Sequence, residues 1–582
     1  MDDDLVTKTL NDNPHLFKIV TPIKVDVFEA YLASHPNQIF VKSVCQGLRE
    51  GFWPWATVPG PEYPIVNDRS KPTPEDEGRA ELLSTQRDAE ISKGRLSPAF
   101  NNLLPGMYCM PIFAVPKHDS SGSSFRLVTD QSSSKFSLNG MIDHDKVTGF
   151  PLDNMKHFGE MLMDLEVRDP GGEKVLWKSD IAEAYRILPM HPRWQVKQVN
   201  RIDDKFHVDR CNAFGGSGAG GIFISFNSLV AWIAREIKKI QYLCNYVDDS
   251  SGCGRKGDTL TYQPYARVLP REQVVLLSLW DELGIPHKPH KQICGSPILI
   301  IGITVNATDL TLSLSDEAKD VLVSELLWWC KRGRKEKVRR WYQMGGWVNW
   351  ALNVYPRLRP ALNNFYPKLK GRRDSTSPIW VNNNIREDFT WAVGVLTQSS
   401  GVRLLKSVYW DVHEATLTIF CDACPEGMGF WFPKLNIAFY SPTLCYEHLD
   451  LIFYFEALCV HSALFDAHRR TAPGKNGRFL IYTDNSNTVD IFSSFRALPP
   501  YNHLLKTAVD ILNTGDNDMR VLHVPGVDNA VADALSRADF RRAINLVPTL
   551  KISNFDPWSW SPNDKGAITF QPPRGTLGAL GL

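Results

Sequence analysis

A pair of adjacent carboxylates set among apolar and turn-forming residues constrains this chain more than any other feature. Asp248 and Asp249 follow the apolar-rich stretch 243–247 and precede Ser-Ser-Gly. Apolar flanks around turn-forming residues predict a β-hairpin with both acids at its tip. Because like charges repel, the pair costs free energy unless cations neutralise it, and two divalent metals would also hold the oxygens of a phosphoryl transfer. A surface turn that contains two aspartates by chance is the alternative for this pair taken alone.

Three motifs upstream of this pair favour the metal-site interpretation. Asp180 stands where a predicted strand passes into a helix. The glycine-rich stretch that begins with Phe214 and Gly215 predicts a loop that a nucleotide or a template backbone can approach closely. A predicted hairpin further upstream presents Lys117 and Arg126, two cations that suit a triphosphate; surface solubility is the alternative explanation for them.

Four further acids, far apart in the sequence, form a second candidate set. Asp422 and Asp484 lie in or directly after strand-like runs, and Asp533 lies in a predicted short helix. Glu456 has apolar residues three and four positions away on both sides, so its carboxylate lies within the apolar face of a helix. Burying an unpaired carboxylate is expensive, so this position requires a cation or strong hydrogen-bond donors. A site made from these acids has to be assembled by folding.

Composition limits the class of protein to which these sites belong. The 582 residues are 43% hydrophobic and carry a net charge of +1, which predicts three or four globular domains and excludes a disordered or fibrous chain. No apolar run approaches the roughly 18 residues of a membrane helix, and the acidic start does not resemble a secretory signal. Eleven cysteines without an export signal predict reduced thiols in a cytoplasmic or nuclear protein.

Although positive and negative charges nearly balance over the whole chain, one segment is strongly basic. Between Lys331 and Arg340 there are seven basic residues and one acid, Glu336. The commoner explanation of such a block is a solvated helix face, and the alternative is a surface that follows nucleic-acid phosphates.

In order and spacing, the first series resembles the palm of reverse transcriptases. Residues 246–249, Tyr-Val-Asp-Asp, match the Tyr-x-Asp-Asp signature of that family, and Asp180 matches its first catalytic aspartate. The resemblance implies that Asp180, Asp248 and Asp249 form a catalytic site that holds two Mg²⁺ ions, or Mn²⁺. Lys288 and Lys291 both stand where the family has a general-acid lysine, and the sequence does not choose between them.

The same resemblance assigns roles in substrate binding. Lys117 and Arg126 resemble the finger residues that hold the incoming triphosphate, and Tyr185 stands at the steric-gate position that excludes a ribose 2′-hydroxyl. Phe214 and Gly215 belong to the substrate-facing loop. In this context the basic block resembles a thumb and connection that grip duplex phosphates.

The second set resembles the ribonuclease H domain of retroelements. It closes with His-Val-Pro-Gly at 523–526 and Ala-Asp-Ala-Leu-Ser-Arg at 532–537. The resemblance implies that Asp422, Glu456, Asp484 and Asp533 hold two Mg²⁺ ions that activate water against the RNA strand of a hybrid. A transposase or integrase would share the fold, but its acidic set usually ends with glutamate.

Together these resemblances predict an α/β multidomain chain: a right-hand polymerase with fingers, palm and thumb, followed by a ribonuclease H-like α/β domain. The polar stretch from Asn67 to Lys93 predicts a linker or surface loop. The predicted divisions are an N-terminal pre-polymerase extension at 1–95, fingers and palm at 96–310, a helical basic thumb or connection at 311–407, the ribonuclease H-like domain at 408–540 and a flexible C-terminal tail at 541–582.

The chain resembles the reverse transcriptase–ribonuclease H polyproteins of DIRS-like retrotransposons and their fungal relatives. The resemblance implies an RNA-directed DNA polymerase that also cleaves the RNA strand of RNA–DNA hybrids. Its implied partners are an RNA template, a DNA primer, the hybrid and deoxynucleoside triphosphates, with no membrane and with an integrase or recombinase supplied by another chain. The alternative is a catalytically inactive retroelement remnant that binds nucleic acid.

Overall fold

The computed structural model describes residues 4–557, apart from gaps at 58–59, 61, 73–75, 117–124, 373, 375, 400–401, 405–409, 444–450 and 473–474. The chain divides into two units, one ending at Ile301 and the other beginning at Gly302. This division lies close to the boundary predicted at residue 310. Residues 558–582 of the predicted tail lie outside the described residues.

The first unit combines short sheets with surrounding helices. Its helices are α1 (Asp4–Asp12), α2 (Val25–Tyr31), α3 (Gln38–Glu50), α4 (Glu77–Ser92), α5 (Met155–Arg168), α6 (Pro192–Gln195), α7 (Ala219–Trp232) and α8 (Arg271–Leu283). Its strands are β1 (Asn67–Asp68), β2 (Tyr108–Cys109), β3 (Ile112–Pro116), β4 (Phe125–Thr129), β5 (Lys174–Asp180), β6 (Val199–Ile202), β7 (Lys205–Val208), β8 (Cys244–Tyr246), β9 (Asp249–Arg255), β10 (Thr259–Tyr262), β11 (Arg267–Pro270), β12 (Ile293–Gly295) and β13 (Ile298–Ile300).

The N-terminal region shares one hydrophobic core with the elements that follow it. Phe28 of α2 and Val44 of α3 belong to the same buried cluster as Phe226 of α7 and Trp280 of α8. Because burial of large apolar side chains is the main favourable term in folding, these contacts tie the region to the rest of the unit. The described residues of 4–95 therefore belong to the first unit, and a pre-polymerase role for this extension stays a prediction.

The polar stretch predicted as a linker contains a regular helix. The helix α4 begins after Asp76, whose side chain accepts a hydrogen bond from the backbone N–H of Arg79. Leu83 and Glu90, seven positions apart on one face, are buried. The linker prediction was wrong. The buried face of α4 includes the carboxylate of Glu90, so apolar residues do not repeat at helical spacing in this stretch of the sequence.

A four-stranded antiparallel sheet in the order β12-β5-β9-β8 carries the first candidate site. The strands β8 and β9 are joined by the two-residue turn Val247-Asp248, so the predicted hairpin is present. Val247 has a φ of 56°, the left-handed conformation that a tight hairpin turn requires at its first central position. The hairpin thereby holds both acids at one end of the sheet.

The second unit begins with helices and small sheets and continues into a larger sheet. Its helices are α9 (Asp316–Trp329), α10 (Val338–Ala351), α11 (Asn383–Gln398), α12 (Leu451–Arg470), α13 (Ser486–Ser494), α14 (Asn502–Thr514), α15 (Ala530–Ser536) and α16 (Phe540–Leu546). Its strands are β14 (Ile303–Asn306), β15 (Thr311–Ser313), β16 (Lys335–Lys337), β17 (Pro378–Trp380), β18 (Val402–Leu404), β19 (Leu417–Ala423), β20 (Gly427–Phe432), β21 (Ile437–Pro442), β22 (Arg478–Thr483), β23 (Asp518–His523) and β24 (Lys551–Asn554).

Aromatic packing holds the helical part of this unit together. The ring of Trp329 in α9 lies 5.1 Å from that of Trp341 in α10 and 6.1 Å from that of Phe389 in α11, measured between centroids. The sequence predicts helix throughout the basic block, but the strand β16 interrupts it and pairs with β17. This hairpin brings Lys335 opposite Trp380.

A six-stranded sheet in the order β23-β22-β19-β20-β21-β24 forms the last part of the unit. The strands β19, β20 and β21 are antiparallel neighbours, whereas β22, β23 and β24 add to the sheet in parallel. The strand β24 and most of α16 lie in the region predicted as a flexible tail, so that prediction is corrected up to Asn554. The Pro- and Gly-rich composition that suggested a tail comes mainly from residues beyond this strand.

Among the described residues, every helix is too short or too polar to cross a membrane.

Candidate active sites

The first site is built where β5 ends and β9 begins. Asp180, the last residue of β5, is the register partner of Asp249, the first residue of β9. Directly opposed residues of antiparallel strands project their side chains to the same face. Asp248 lies in the adjoining turn, and its carbonyl oxygen accepts a hydrogen bond from the N–H of Ile181 over 3.2 Å. The sheet thus places all three predicted acids at one edge.

Two lysines offset the negative charge of this site. Lys291 Nζ lies 2.5 Å from Asp180 Oδ1, and Lys178 Nζ lies 2.9 Å from Asp249 Oδ2. Asp248 makes neither of these ion pairs. Burial, together with the neighbouring charges of Asp180 and Asp249, raises its pKa above the usual value. Hard divalent cations prefer carboxylate oxygens, but the oxygens of Asp180, Asp248 and Asp249 do not all come within 4.8 Å of one another, so a metal at this site stays a prediction.

The structure distinguishes the two lysines that the sequence left open. Lys291 contacts Asp180, whereas Lys288 is exposed. Arg267 donates hydrogen bonds to the carbonyl oxygens of Pro289 and Gln292 and so holds the turn that carries Lys291. Lys178 was not predicted from the sequence. It stands two positions before Asp180 on the same strand, and this alternation is the signal that would have placed it on the same face.

An aromatic pair and a tight glycine loop lie beside the acids. The ring of Tyr185 lies 4.9 Å from that of Phe214, and Phe214 is 47% exposed. Gly215 has a φ of 113°, and a Cβ at this position would lie 2.0 Å from the carbonyl oxygen of Thr129, so only glycine fits there. Asn139 was not predicted; its side chain donates to the carbonyl oxygen of Gly215 and holds the loop against its neighbour.

The predicted finger hairpin is only partly described. The strands β3 and β4 are antiparallel partners, and Arg126 of β4 pairs with Val115 of β3. Lys117 lies outside the described residues. The assignment of both cations to a triphosphate stays a prediction.

The second site gathers three acids from three elements. Asp422 lies in β19, Glu456 in α12, and Asp484 directly follows β22. One carboxylate oxygen from each lies within 4.8 Å of the others, and this is the one such group among the described residues. Burial and the nearby carboxylates raise the pKa of Asp422 to about 7 and that of Glu456 to about 9. Three converging carboxylate oxygens that form no ion pair with a lysine or arginine among the described contacts suit a divalent cation.

The fourth predicted acid has other partners. Asp533 in α15 receives hydrogen bonds from Arg537 Nε over 2.7 Å and from Arg542 Nη1 over 2.6 Å. Burial raises the pKa of Asp533, but the two guanidinium groups outweigh burial and hold this pKa below its usual value. Asp533 is not among the three acids whose oxygens converge, and its place in a four-acid site stays a prediction.

The sequence also missed the hydrogen-bond donors of the second site. The hydroxyl of Ser536 donates to Asp422 Oδ2, and the hydroxyl of Thr483 donates to Glu456 Oε2 over 3.4 Å. Both donors are buried. Short polar residues at the end of a strand or helix are too common in sequences to single out, so only the fold identifies them.

Comparisons with known proteins add the following. No protein-family model and no curated protein matches the chain. Similar solved structures include the foamy viral protease-reverse transcriptase in complex with double-stranded DNA, at 14% identity and a TM-score of 0.42 over 88% of this chain and 99% of that one. The same foamy viral protein with an RNA/DNA hybrid has 15% identity and a TM-score of 0.42, over 88% of this chain and 65% of that one. Similarity at this level is not evidence of a shared activity.

The charge balance of the second site predicts how stability responds to pH and metal. The folded-state pKa of Glu456, about 9, lies above its ordinary value of 4.5, so the folded protein binds this proton more tightly than the unfolded chain does. Without metal, the free energy of unfolding is expected to fall as the pH rises from about 4.5 to about 9. At pH 8, Glu456→Gln should raise the Tm of the metal-free protein by several degrees and remove most of the stabilisation that Mg²⁺ gives.

Thermal unfolding with and without Mg²⁺ measures both effects. Glu426→Gln is the matched control, because Glu426 is an exposed carboxylate of the same domain outside the three-acid group. It should leave the response to Mg²⁺ unchanged. Equal stabilisation of Glu456→Gln and wild type by Mg²⁺ would contradict a metal site at Glu456.

Proposed function

We propose that this chain is an RNA-directed DNA polymerase that also hydrolyses the RNA strand of RNA–DNA hybrids. The observation that carries the proposal is the presence of two separate sets of carboxylates, one in each unit: the first where two paired strands meet, the second assembled from two strands and a helix. Clustered carboxylates cost folding free energy, so two such clusters in one chain indicate two cation-dependent reactions. Phosphoryl transfer and phosphodiester hydrolysis are the reactions that paired divalent ions serve best.

At the first site, Asp180, Asp248 and Asp249 would hold two Mg²⁺ ions. When bound, these ions supply Lewis-acid activation of the attacking primer hydroxyl and of the leaving pyrophosphate. Tyr185, packed on Phe214, forms an aromatic wall that excludes a ribose 2′-hydroxyl. Lys291 is the better placed of the two candidate lysines to give a proton to the leaving group, because it contacts Asp180. Lys178 holds the Asp249 carboxylate in place.

At the second site, Asp422, Glu456 and Asp484 would hold the metal, with Asp533 beside them. The bound ion supplies a water whose pKa is lowered for attack on the RNA strand. Ser536 and Thr483 orient the carboxylates of Asp422 and Glu456 through their hydroxyl groups. Hydrogen-bonded outer partners of this kind fix the direction of the ligand oxygens.

The basic block supplies a surface that suits nucleic-acid phosphates. Arg334 and Arg340 lie against the Trp328 ring, and Arg340 also pairs with Glu325. The remaining cations of the block are exposed, and Lys335 Nζ lies 5.4 Å from the centroid of the Trp380 ring, which is 58% exposed. Exposed cations beside exposed aromatic rings bind phosphates and stack on bases. The exposed cations are Lys331, Arg332, Lys335, Lys337 and Arg339.

Loss of one acid at each site should separate the two activities. Asp248→Asn is expected to reduce primer extension on an RNA template by at least about a hundredfold while hybrid cleavage continues, and Asp422→Asn should do the reverse. An assay with one RNA–DNA hybrid substrate, Mg²⁺ and deoxynucleotides measures both primer extension and cleavage of the RNA strand. A wild-type protein that binds the hybrid but neither extends nor cleaves would favour the inactive remnant, and extension that survives Asp248→Asn would refute the polymerase assignment.

The two candidate lysines give a matched test of proton transfer. Lys291→Ala should slow single-nucleotide incorporation on the order of a hundredfold and remove a basic limb from the pH–rate profile, because a general acid contributes about this much. Lys288→Ala is the control and should change the rate little, since Lys288 is exposed. Equal effects of the two substitutions would argue against a specific role for Lys291.

Salt dependence tests the basic surface. The triple variant Lys335→Gln, Lys337→Gln and Arg339→Gln should bind the hybrid more weakly, and its log Kd against log salt slope should fall by about one per lost phosphate contact. Arg340→Gln is the contrast, because Arg340 is already paired with Glu325. It should lower the Tm and leave the slope unchanged; an unchanged slope in the triple variant would exclude the block from the binding surface.

A further inference from the structure

The loop that carries Tyr185 is held by charged residues from the N-terminal region. Tyr185 lies in a short 3₁₀ helix, Ala184–Ile187, between Glu183 and Leu188. Both Glu183 and Arg186, the charged residues on either side of Tyr185, form ion pairs with the segment that ends α4 and follows it. Glu90 and Lys93 lie at the end of the stretch that the sequence predicts as a linker, and Arg95 lies just after it.

On the C-terminal side of Tyr185, the ion pairs that Arg186 forms are largely shielded from solvent. Arg186 donates to Glu90 Oε2 over 2.6 and 3.0 Å, from Nη2 and Nε, and its Nη1 lies 2.9 Å from the Asp209 carboxylate. The exposed fractions of the side chains are 13% for Arg186, 8% for Glu90 and 5% for Asp209. Two carboxylates that bind one planar guanidinium fix its orientation, and the ammonium group of a lysine could not make the same set of contacts.

On the N-terminal side, the contact holds a strained residue. Glu183 has a φ of 60° in the left-handed region, which is unfavourable for a residue with a side chain. Arg95 Nη1 lies 2.6 Å from Glu183 Oε2, and Lys93 pairs with the other carboxylate oxygen. Between these two cations, the carbonyl oxygen of Gly94 accepts a hydrogen bond from Arg210 Nη1 over 2.9 Å. The segment 93–95 is therefore itself anchored.

We propose that Glu90, Lys93 and Arg95 are positioning residues that set the selectivity of the first site for the sugar of the incoming nucleotide. They act through Glu183 and Arg186, which hold the backbone on both sides of Tyr185. The position of this backbone determines where the Tyr185 ring lies beside Phe214. This inference rests on the proposed polymerase function. It goes further by placing the control of nucleotide selection in residues that do not touch the nucleotide.

The cost of the network argues for such a role. A buried ion pair gives little net stability, because desolvation offsets most of the Coulomb attraction, and apolar side chains would serve as well. Strained backbone of the kind seen at Glu183 persists where surrounding contacts over-determine it, and such strain clusters at functional sites. The network here surrounds one aromatic residue whose exact placement decides whether a 2′-hydroxyl fits.

Steady-state incorporation of one deoxynucleotide and of the matching ribonucleotide tests the proposal. Glu90→Gln should raise KM for the deoxynucleotide and lower the ratio of the two kcat/KM values by about tenfold, with kcat changed less. Lys93→Gln should act in the same direction with a smaller effect, because this pair is partly exposed. Asp88→Asn is the matched control: Asp88 lies on the same helix, is 66% exposed and pairs only with its neighbour Arg87 among the ion pairs described.

A double-mutant cycle separates positioning from general stabilisation. Tyr185→Ala is expected to admit ribonucleotides. In that background Glu90→Gln should change the sugar selectivity no further, because its effect passes through the Tyr185 ring. Circular dichroism and thermal unfolding of the same preparation give the amount of folded protein. If Glu90→Gln fails to fold, the half-exposed Lys93→Gln decides the question.

Three results have distinct meanings. Unchanged sugar selectivity in folded Glu90→Gln and Lys93→Gln, with normal extension by wild type, would overturn this inference and leave the proposed function intact. The same loss of selectivity with and without Tyr185 would overturn it as well. A wild-type protein that does not extend primers would overturn the proposed function, and this inference with it.

Discussion

Carboxylates that are brought together and removed from water lose hydration and repel one another, and both effects cost folding free energy. Each unit of this protein contains such a set of carboxylates. In the first unit, lysines lie against Asp180 and Asp249, whereas Asp248 has a raised pKa. In the second unit no lysine or arginine forms an ion pair with the three-acid group among the described contacts, and burial together with the nearby carboxylates raises the pKa of Glu456. The two sites therefore differ in how the free protein carries its charge before any cation binds.

The parts of the fold that the sequence predicted are those with local signals. The hairpin at 246–249 combines apolar strands with a two-residue turn, and both features can be recognised within one short window. Glu456 was identified because a carboxylate within an apolar helix face is rare. The assembly of Asp422, Glu456 and Asp484 into one group followed from the resemblance of their order and not from any local pattern, since they lie in three different elements.

The parts that were missed have signals that exist only after folding. The helix α4 has a polar sequence because its buried face includes Glu90, whose partner Arg186 is far away in the chain. The choice between Lys288 and Lys291 depends on the direction of a short turn, which their spacing does not encode. The two arginines that bind Asp533 lie four and nine residues after it, and only the approach of α16 to α15 brings the second into contact.

The pairing of β24 with β21 has a practical meaning for work on the second unit. The strand β24 covers one border of the six-stranded sheet, and its four register pairs occupy backbone groups of β21 that would otherwise face solvent. A recombinant fragment trimmed at residue 540, where the motifs end, would leave β21 as an uncovered border strand with aromatic side chains beside it. Such a fragment would be prone to self-association through strand pairing, so expression of the part that contains the six-stranded sheet should extend through Asn554.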